Sequence, residues 1–222
     1  MSVRGMVWFA AVSLAPLCLS AAPARAEMFG FTPITSNSDG SVAQQLSLAV
    51  TPSESDVLFT FRNDGPLASS IKLVAFDDSA GLLDSWVILD SPPSVDFALR
   101  PKSNLPGGNT LTPKFVEDFG FDKAGNESTG VNPGESLGIK FTLPDSMLFA
   151  DVITALNAGI GDPTPATGTL RVGIHVGSIG SDGDSDAFVL TPPPAVHTPL
   201  AGAFLLGMLG LGTVGLKLRR FA

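Results

Sequence analysis

Apolar and polar residues alternate with a period of two along much of the chain between residues 44 and 190. The clearest cases are Leu46-Leu48-Val50 and Val57-Phe59-Phe61, which a turn at residues 52–55 separates. Alternation of this kind is typical of half-buried strands, so the two segments predict a β-hairpin. Similar patterns predict further strands at residues 31–34, 71–75, 86–88, 95–99, 115–121, 135–143, 170–176 and near 188–190.

A helical period replaces the strand period once in this region. Met147, Phe149, Ile153 and Leu156 fall at helical spacing, with Ser146 as the expected N-terminal cap and Gly159 at the expected end. The pattern predicts one helix over residues 146–158. Many short strands with Gly/Pro turns and a single helix predict a mainly β fold, an antiparallel β-sandwich with one short helix.

The N-terminus has the features of a secretory signal peptide. Arg4 precedes an apolar stretch at residues 6–19, and Ala24-Arg25-Ala26 forms an A-x-A cleavage site, which makes Glu27 the expected first residue of the mature protein. Cys18, the only cysteine, lies in the part that cleavage would remove. The exported remainder is therefore expected to fold without an internal disulfide.

The C-terminus predicts a transmembrane helix. Residues 200–216 are apolar and uncharged, and a helix over residues 200–218 would be about 28 Å long, close to the hydrocarbon thickness of a bilayer. Lys217, Arg219 and Arg220 follow as a stop-transfer cluster that is expected to stay cytoplasmic. The predicted organisation is a signal peptide (1–26), an exported β-sandwich domain (27–190), a Pro-rich linker with a sorting motif (191–198) and a transmembrane helix with a basic tail (199–222).

The order of a short Pro-containing motif, a Gly/Leu-rich span and terminal arginines resembles the PEP-CTERM sorting signal of Gram-negative bacteria. The family motif is Val-Pro-Glu-Pro or Val-Pro-Leu-Pro; Val196 and Pro199 match it, whereas His197 and Thr198 depart from it. The middle of the chain also resembles PEP-CTERM proteins of unknown function, through LFTFRNDGP (58–66), NLPGGN (104–109), GVNPGESLGIKF (130–141), FADVI (149–153) and LRVGIHV (170–176).

The resemblance implies a processing protease, an exosortase, as a partner that cuts near the motif. It implies an intermediate anchored in the inner membrane, then a location at the cell surface or outside the cell, and a role connected with extracellular polysaccharide or biofilm. A plain single-pass membrane anchor is the alternative interpretation of the same tail.

The charge balance narrows the choice of partners. The chain has 13 Lys+Arg and 21 Asp+Glu; all 21 acidic residues but only eight of the basic ones lie between the predicted signal and the predicted span. So acidic an exported segment argues against nucleic acid and anionic membrane surfaces as its partners.

The strongest candidate for chemistry is the aspartate-rich segment with Asp182, Asp184 and Asp186. Alternate carboxylates can supply several oxygens to Ca²⁺, but an EF-hand loop starting at Asp182 would need glycine at Ala187 and glutamate at Pro193. A solvated hairpin turn is the favoured interpretation, with weak Ca²⁺ binding as the alternative.

Two histidines, His175 in a predicted strand and His197 in the linker, do not make a zinc site, which needs about four clustered ligands. Neither a Gly-x-Ser-x-Gly elbow nor a Walker phosphate loop occurs in the sequence. We therefore expect a non-enzymatic exported protein without a required cofactor. A membrane-anchored carbohydrate- or calcium-binding β-sandwich module is the alternative.

Overall fold

The computed structural model describes residues 25–160 and 167–192. The predicted signal peptide up to Ala24, the sorting motif at 196–199 and the predicted membrane span with its basic tail lie outside the described residues. The strands are β1 Glu27–Pro33, β2 Leu46–Ser53, β3 Asp56–Asn63, β4 Ser70–Asp78, β5 Trp86–Ser91, β6 Phe97–Leu99, β7 Phe119–Lys123, β8 Glu135–Thr142, β9 Leu170–Ile179 and β10 Asp184–Thr191; the helix is α1 Phe149–Gly159, and short 3₁₀ helices lie at Ser41–Gln45, Gly108–Thr110 and Glu127–Thr129.

The ten strands form one antiparallel sheet in the order β5-β8-β3-β2-β1-β10-β9-β4-β7-β6. Strand β1 joins its two halves, because Glu27 to Phe29 pair with β2 whereas Gly30 to Pro33 pair with β10. We call β5-β8-β3-β2 half-sheet A and β10-β9-β4-β7-β6 half-sheet B. The prediction of a mainly β, antiparallel fold with one helix is confirmed, and so is the β2–β3 hairpin.

Aromatic rings hold the inner faces of the two half-sheets together. Phe76 of half-sheet B contacts Phe59 and Phe141 of half-sheet A with ring centroids 5.1 and 5.0 Å apart, both edge to face. Farther out, Trp86 of β5 meets Phe121 of β7 at 5.2 Å in the same geometry. The alternating apolar residues that predicted the strands therefore form one core between the two halves.

The helix begins later than predicted. Ser146 does not cap it, because this residue has φ 71° and lies in the preceding turn. Leu148 is the residue before the first turn, and its N–H donates to Oδ2 of Asp151 at 2.8 Å. Val152 and Leu156 of α1 are fully buried and join the main core.

Two further boundaries differ from the prediction. The leading segment is a full strand from Glu27, with Phe29 and Phe31 buried in alternation, because both β2 and β10 offer it a partner. The strand predicted at 115–121 begins only at Phe119, because Phe115 packs against a different apolar cluster on the outer face of half-sheet B.

That second cluster covers the outer face of half-sheet B. Leu105 and Phe115, from the long segment between β6 and β7, bury themselves against Leu73, Ala75 and Ala187 of the sheet. The segment, residues 100–118, which we call the covering loop, approaches the sheet so closely that a Cβ on Gly173 would lie 2.4 Å from Cδ2 of Leu105. This connection between β6 and β7 is therefore a packed layer.

Within residues 25–160 and 167–192, no helix is long and apolar enough to cross a membrane.

Candidate functional site

The aspartate-rich segment forms the β9–β10 turn, at one end of the sheet. Residues 180–183 make the turn, and Asp184 begins β10 opposite Ile179. The hairpin interpretation of this segment is confirmed.

The three aspartates do not act together. The pairing of β10 with β9 shifts register between Asp184 and Asp186, so the i, i+2 spacing does not put these two side chains in equivalent positions. Asp182 is exposed and Asp184 half-buried, whereas Asp186 is only 1% exposed.

The Asp186 carboxylate is fully engaged with the segment that follows β1. Its Oδ1 accepts from Thr35 Oγ1 at 2.7 Å and from the Asn37 N–H at 2.8 Å, while Oδ2 accepts from the N–H and the hydroxyl of Ser38. Burial alone would raise the pKa of Asp186, but the hydrogen bonds from Ser38, Asn37 and Thr35 outweigh it and hold the pKa below its ordinary value. This carboxylate fastens a loop to β10 and has little capacity left for a ligand.

The other two aspartates line a cavity of about 410 Å³ at the same end of the sheet. Asp39, which no sequence pattern indicated, lines it from the loop after β1, and Ser38, Ser41 and Ser181 add hydroxyl groups. The Ser41 hydroxyl and N–H lower the pKa of Asp39, so this carboxylate is ionised at neutral pH. The cavity is thus an acidic, hydroxyl-rich pocket.

This pocket does not have the ligand geometry of a metal centre. Among the residues that the structure describes, no three His, Cys, Asp or Glu side chains are close enough to share a metal ion. What the pocket offers a ligand is hydrogen bonding by carboxylates and serine hydroxyls, with Leu67 and Ile179 as apolar contacts.

His175 occupies the position that the strand pattern predicts. It is half-buried on the face of β9 opposite to Ile174, between Leu73 of β4 and Ala187 of β10. Burial is the largest of the causes that lower the pKa of His175, and the positive charges of Arg100 and Lys72 lower it further. The negative charges of Asp122 and Asp186 raise this pKa, but the lowering causes outweigh them. The imidazole is therefore mainly neutral at pH 7.

Buried ion pairs, which the sequence did not indicate, fasten the covering loop. Asp77 of β4 pairs with Arg171 of β9, and both side chains are less than a tenth exposed. The Arg171 guanidinium also donates to the carbonyls of Pro113 and Lys114 and lies 5.3 Å above the ring of Phe115. Asp77 in turn accepts from the Val116 N–H at 2.7 Å.

A second pair fastens the start of the same loop. Arg100 binds the carboxylate of Glu117 with two nitrogens, and the Glu117 side chain is completely buried. No short sequence pattern predicts either ion pair, because 94 positions separate Asp77 from Arg171 and 17 positions separate Arg100 from Glu117.

The predicted processing residues lie towards the two ends of the chain. Ala26 is exposed and Glu27 opens β1, while Val196, His197, Thr198, Pro199, Lys217, Arg219 and Arg220 lie outside the described residues, as does Ala24. Comparison with protein-family models, with curated proteins and with solved structures gives no match for this chain.

Proposed function

We propose that this chain is an exported, non-enzymatic protein of the cell surface or extracellular matrix, sorted by a C-terminal signal of the PEP-CTERM type. A signal peptide ending at Ala26 directs export, and the C-terminal helix holds the protein in the inner membrane. A processing protease of the exosortase type then releases it near Pro199. The exported domain is a β-sandwich whose partner outside the cell is of the extracellular-polysaccharide class.

One observation carries the proposal. Strand β1 begins at Glu27, the residue that signal cleavage would leave first, and β10 ends at Thr191, directly before the triple proline at 192–194. Proline lacks the N–H that a ladder needs, so pairing has a physical reason to stop there. Both expected cleavage positions therefore lie outside the strand-forming region. A protease needs an extended substrate, and a position outside the sheet suits this need.

Two terminal analyses of the released protein test the proposal. N-terminal sequencing is expected to begin at Glu27. In a host with exosortase, the mass of the C-terminal peptide is expected to show an end near residue 199. A C-terminal peptide that ends at Ala222 would overturn the sorting proposal and leave the plain anchor.

Variants separate anchoring from processing. Replacing Lys217, Arg219 and Arg220 by Ser should impair both retention and processing, because each cation costs about 2.5–3.5 kcal/mol at the centre of a membrane helix. Pro199→Ala should impair processing alone and leave a full-length membrane protein. Pro194→Ala, in the linker, is the matched control and should be processed normally.

The acidic pocket favours a second candidate function, a binding module for a carbohydrate. Asp39, Asp182 and Asp184 with their neighbouring serines provide the polar groups. Titration calorimetry of the mature protein with soluble exopolysaccharide tests it. Binding that Asp39→Ala abolishes supports this candidate, and binding that the variant retains rules out this pocket.

A further inference from the structure

The strand β5 is a sheet edge with the features of an interface. It ends half-sheet A, and its inward-facing residues Trp86 and Ile88 are only half-buried, whereas Ile139 and Phe141 on the neighbouring β8 are completely buried. On the outer face of β5, Val87 is 51% and Leu89 44% exposed. The described residues therefore leave this edge open, with apolar side chains on both faces.

The hydrogen bonds next to β5 show which backbone groups point outwards. The Thr142 N–H donates to the Ser85 carbonyl at 2.8 Å, and the Thr142 carbonyl accepts from the Asp84 N–H at 3.1 Å, so Thr142 of β8 directs both backbone groups towards β5. Because hydrogen-bonded and non-hydrogen-bonded pairs alternate along an antiparallel ladder, Val87 and Leu89 also bond to β8. Trp86, Ile88 and Asp90 consequently direct their N–H and C=O groups away from the sheet.

We propose that β5 is the self-association surface of this protein, where the β5 strands of two copies pair antiparallel about a two-fold axis at Ile88. The two-fold operation turns a strand into its own antiparallel partner, so one edge suffices for a closed dimer. In this register Ile88 lies opposite Ile88 of the second copy, and Val87 lies opposite Leu89. The three outward-directed residues of each strand then make about six hydrogen bonds between the copies.

The charges favour this edge and this register. Trp86 to Leu89 carry no charge, although the exported segment is strongly acidic and two copies repel each other elsewhere. The Ile88-centred register places Asp90 opposite Trp86 and Asp84 opposite Pro92. A register centred on Val87 would instead set Asp84 against Asp90, and like charges directly opposite destabilise a strand pair.

The other edge of the sheet is a poorer surface. Strand β6 has only three residues, against six in β5. A short edge strand is one of the usual means by which proteins block edge pairing. An interface of one strand pair is small and hence weak, so its test must detect a minor population of dimers.

Disulfide trapping provides that test and also measures the register. The background is the full-length protein in detergent with Cys18→Ser. Three samples are oxidised: the Val87→Cys variant, the Leu89→Cys variant, and a mixture of the two variants. In a non-hydrogen-bonded pair the opposite Cα atoms are about 4.5 Å apart, within reach of a disulfide. We expect the mixture to form severalfold more cross-linked dimer than either single variant. Met28→Cys, which is 42% exposed and away from this edge, is the control and should cross-link only weakly.

A backbone variant separates edge pairing from random collision. Asp90→Pro removes an outward N–H that β8 does not use, so the urea midpoint should stay close to that of the parent. Two of the six inter-copy hydrogen bonds are lost, and the cross-link yield of the mixture should fall about tenfold. Equal yields from the mixture and the single variants, dominant cross-linking of Val87→Cys alone, or a yield that Asp90→Pro leaves unchanged would each overturn the proposal.

Discussion

The outer faces of the two half-sheets differ in what covers them. Half-sheet B has the covering loop on its outer face, with a buried apolar cluster beneath it. Half-sheet A has no such layer among the described residues, and Val87 and Leu89 of β5 are 51% and 44% exposed on its outer face. The connection from β6 to β7 supplies the layer on half-sheet B, whereas β2 and β3 of half-sheet A are joined by a tight turn.

The buried charges follow the same division. The buried charged side chains of the described residues are Asp77, Glu117, Arg171 and Asp186, and each belongs to half-sheet B or its covering loop. Half-sheet A instead has a neutral network, in which the buried Gln45 donates to Asn63 Oδ1 at 2.6 Å and to Ser69 Oγ at 2.9 Å. A covering layer of loop has backbone groups that need partners, and buried carboxylates and guanidinium groups supply them.

The largest effect is expected from the central ion pair of the covered face. Arg171→Leu leaves the Asp77 carboxylate buried without its cation and should lower the free energy of unfolding by about 3–5 kcal/mol. The matched control on the open half is Lys140→Leu, whose pair with Asp56 is 3.0 Å long but partly exposed and should contribute about 1 kcal/mol or less. Urea unfolding of the mature protein measures both. Equal losses in the two variants would contradict the comparison of the two faces.

The next effect is expected from the apolar cluster beneath the covering loop. Leu105→Ala opens a cavity against Gly173 and Phe115 and should cost about 2–4 kcal/mol. Leu89→Ala removes the same atoms from the open face and should change stability by about 0.5 kcal/mol or less. Thermal unfolding of the two variants side by side gives the ratio. A Leu105→Ala variant as stable as Leu89→Ala would mean that the covering loop is not packed in solution.

The smallest effect concerns pH. The folded-state pKa of Asp186 is lowered, so its contribution to stability is complete above the unfolded pKa of about 3.9 and disappears as the pH falls through the folded value. At pH 7 Asp186→Asn should cost about 1–3 kcal/mol, because donors from the loop after β1 lose an acceptor. The difference from the parent should narrow on acidification towards pH 2, and urea unfolding at several pH values follows it. Asp182→Asn, in the exposed turn, should show neither effect; a difference that widens on acidification would refute this role of Asp186.

Two of the segments on which the expected PEP-CTERM resemblance rests, LFTFRNDGP (58–66) and GVNPGESLGIKF (130–141), contain glycines that the packing requires. Gly65 lies at the end of LFTFRNDGP, and a Cβ there would come within 2.2 Å of the buried Gln45. Gly130 opens GVNPGESLGIKF, where a Cβ would come within 2.6 Å of the Ile71 carbonyl oxygen. These glycines are needed where two segments meet closely, so both positions serve the packing of the fold.

How well the candidate site could be predicted depended on how far apart in the sequence the interacting residues lie. The spacing of Asp182, Asp184 and Asp186 predicted a turn, which is a local structure, and it was correct. The prediction that the three side chains act together needed a regular register, and the shift within the β9–β10 pair removed it. Asp39 joins the pocket from a segment more than 140 positions away, and no local pattern could have indicated it.

For the described residues, the sequence by itself determined the approximate positions of the strands and of the helix, and the antiparallel class, because alternation and helical spacing are properties of a few neighbouring residues. It also determined that the folded region carries no cysteine if the signal peptide is removed. Only the tertiary structure decided that β1 joins both half-sheets, that one outer face is covered and the other open, and which carboxylates become anchors. These features depend on which distant segments meet, and the energy of such contacts comes from burial and desolvation that exist only once the chain has folded.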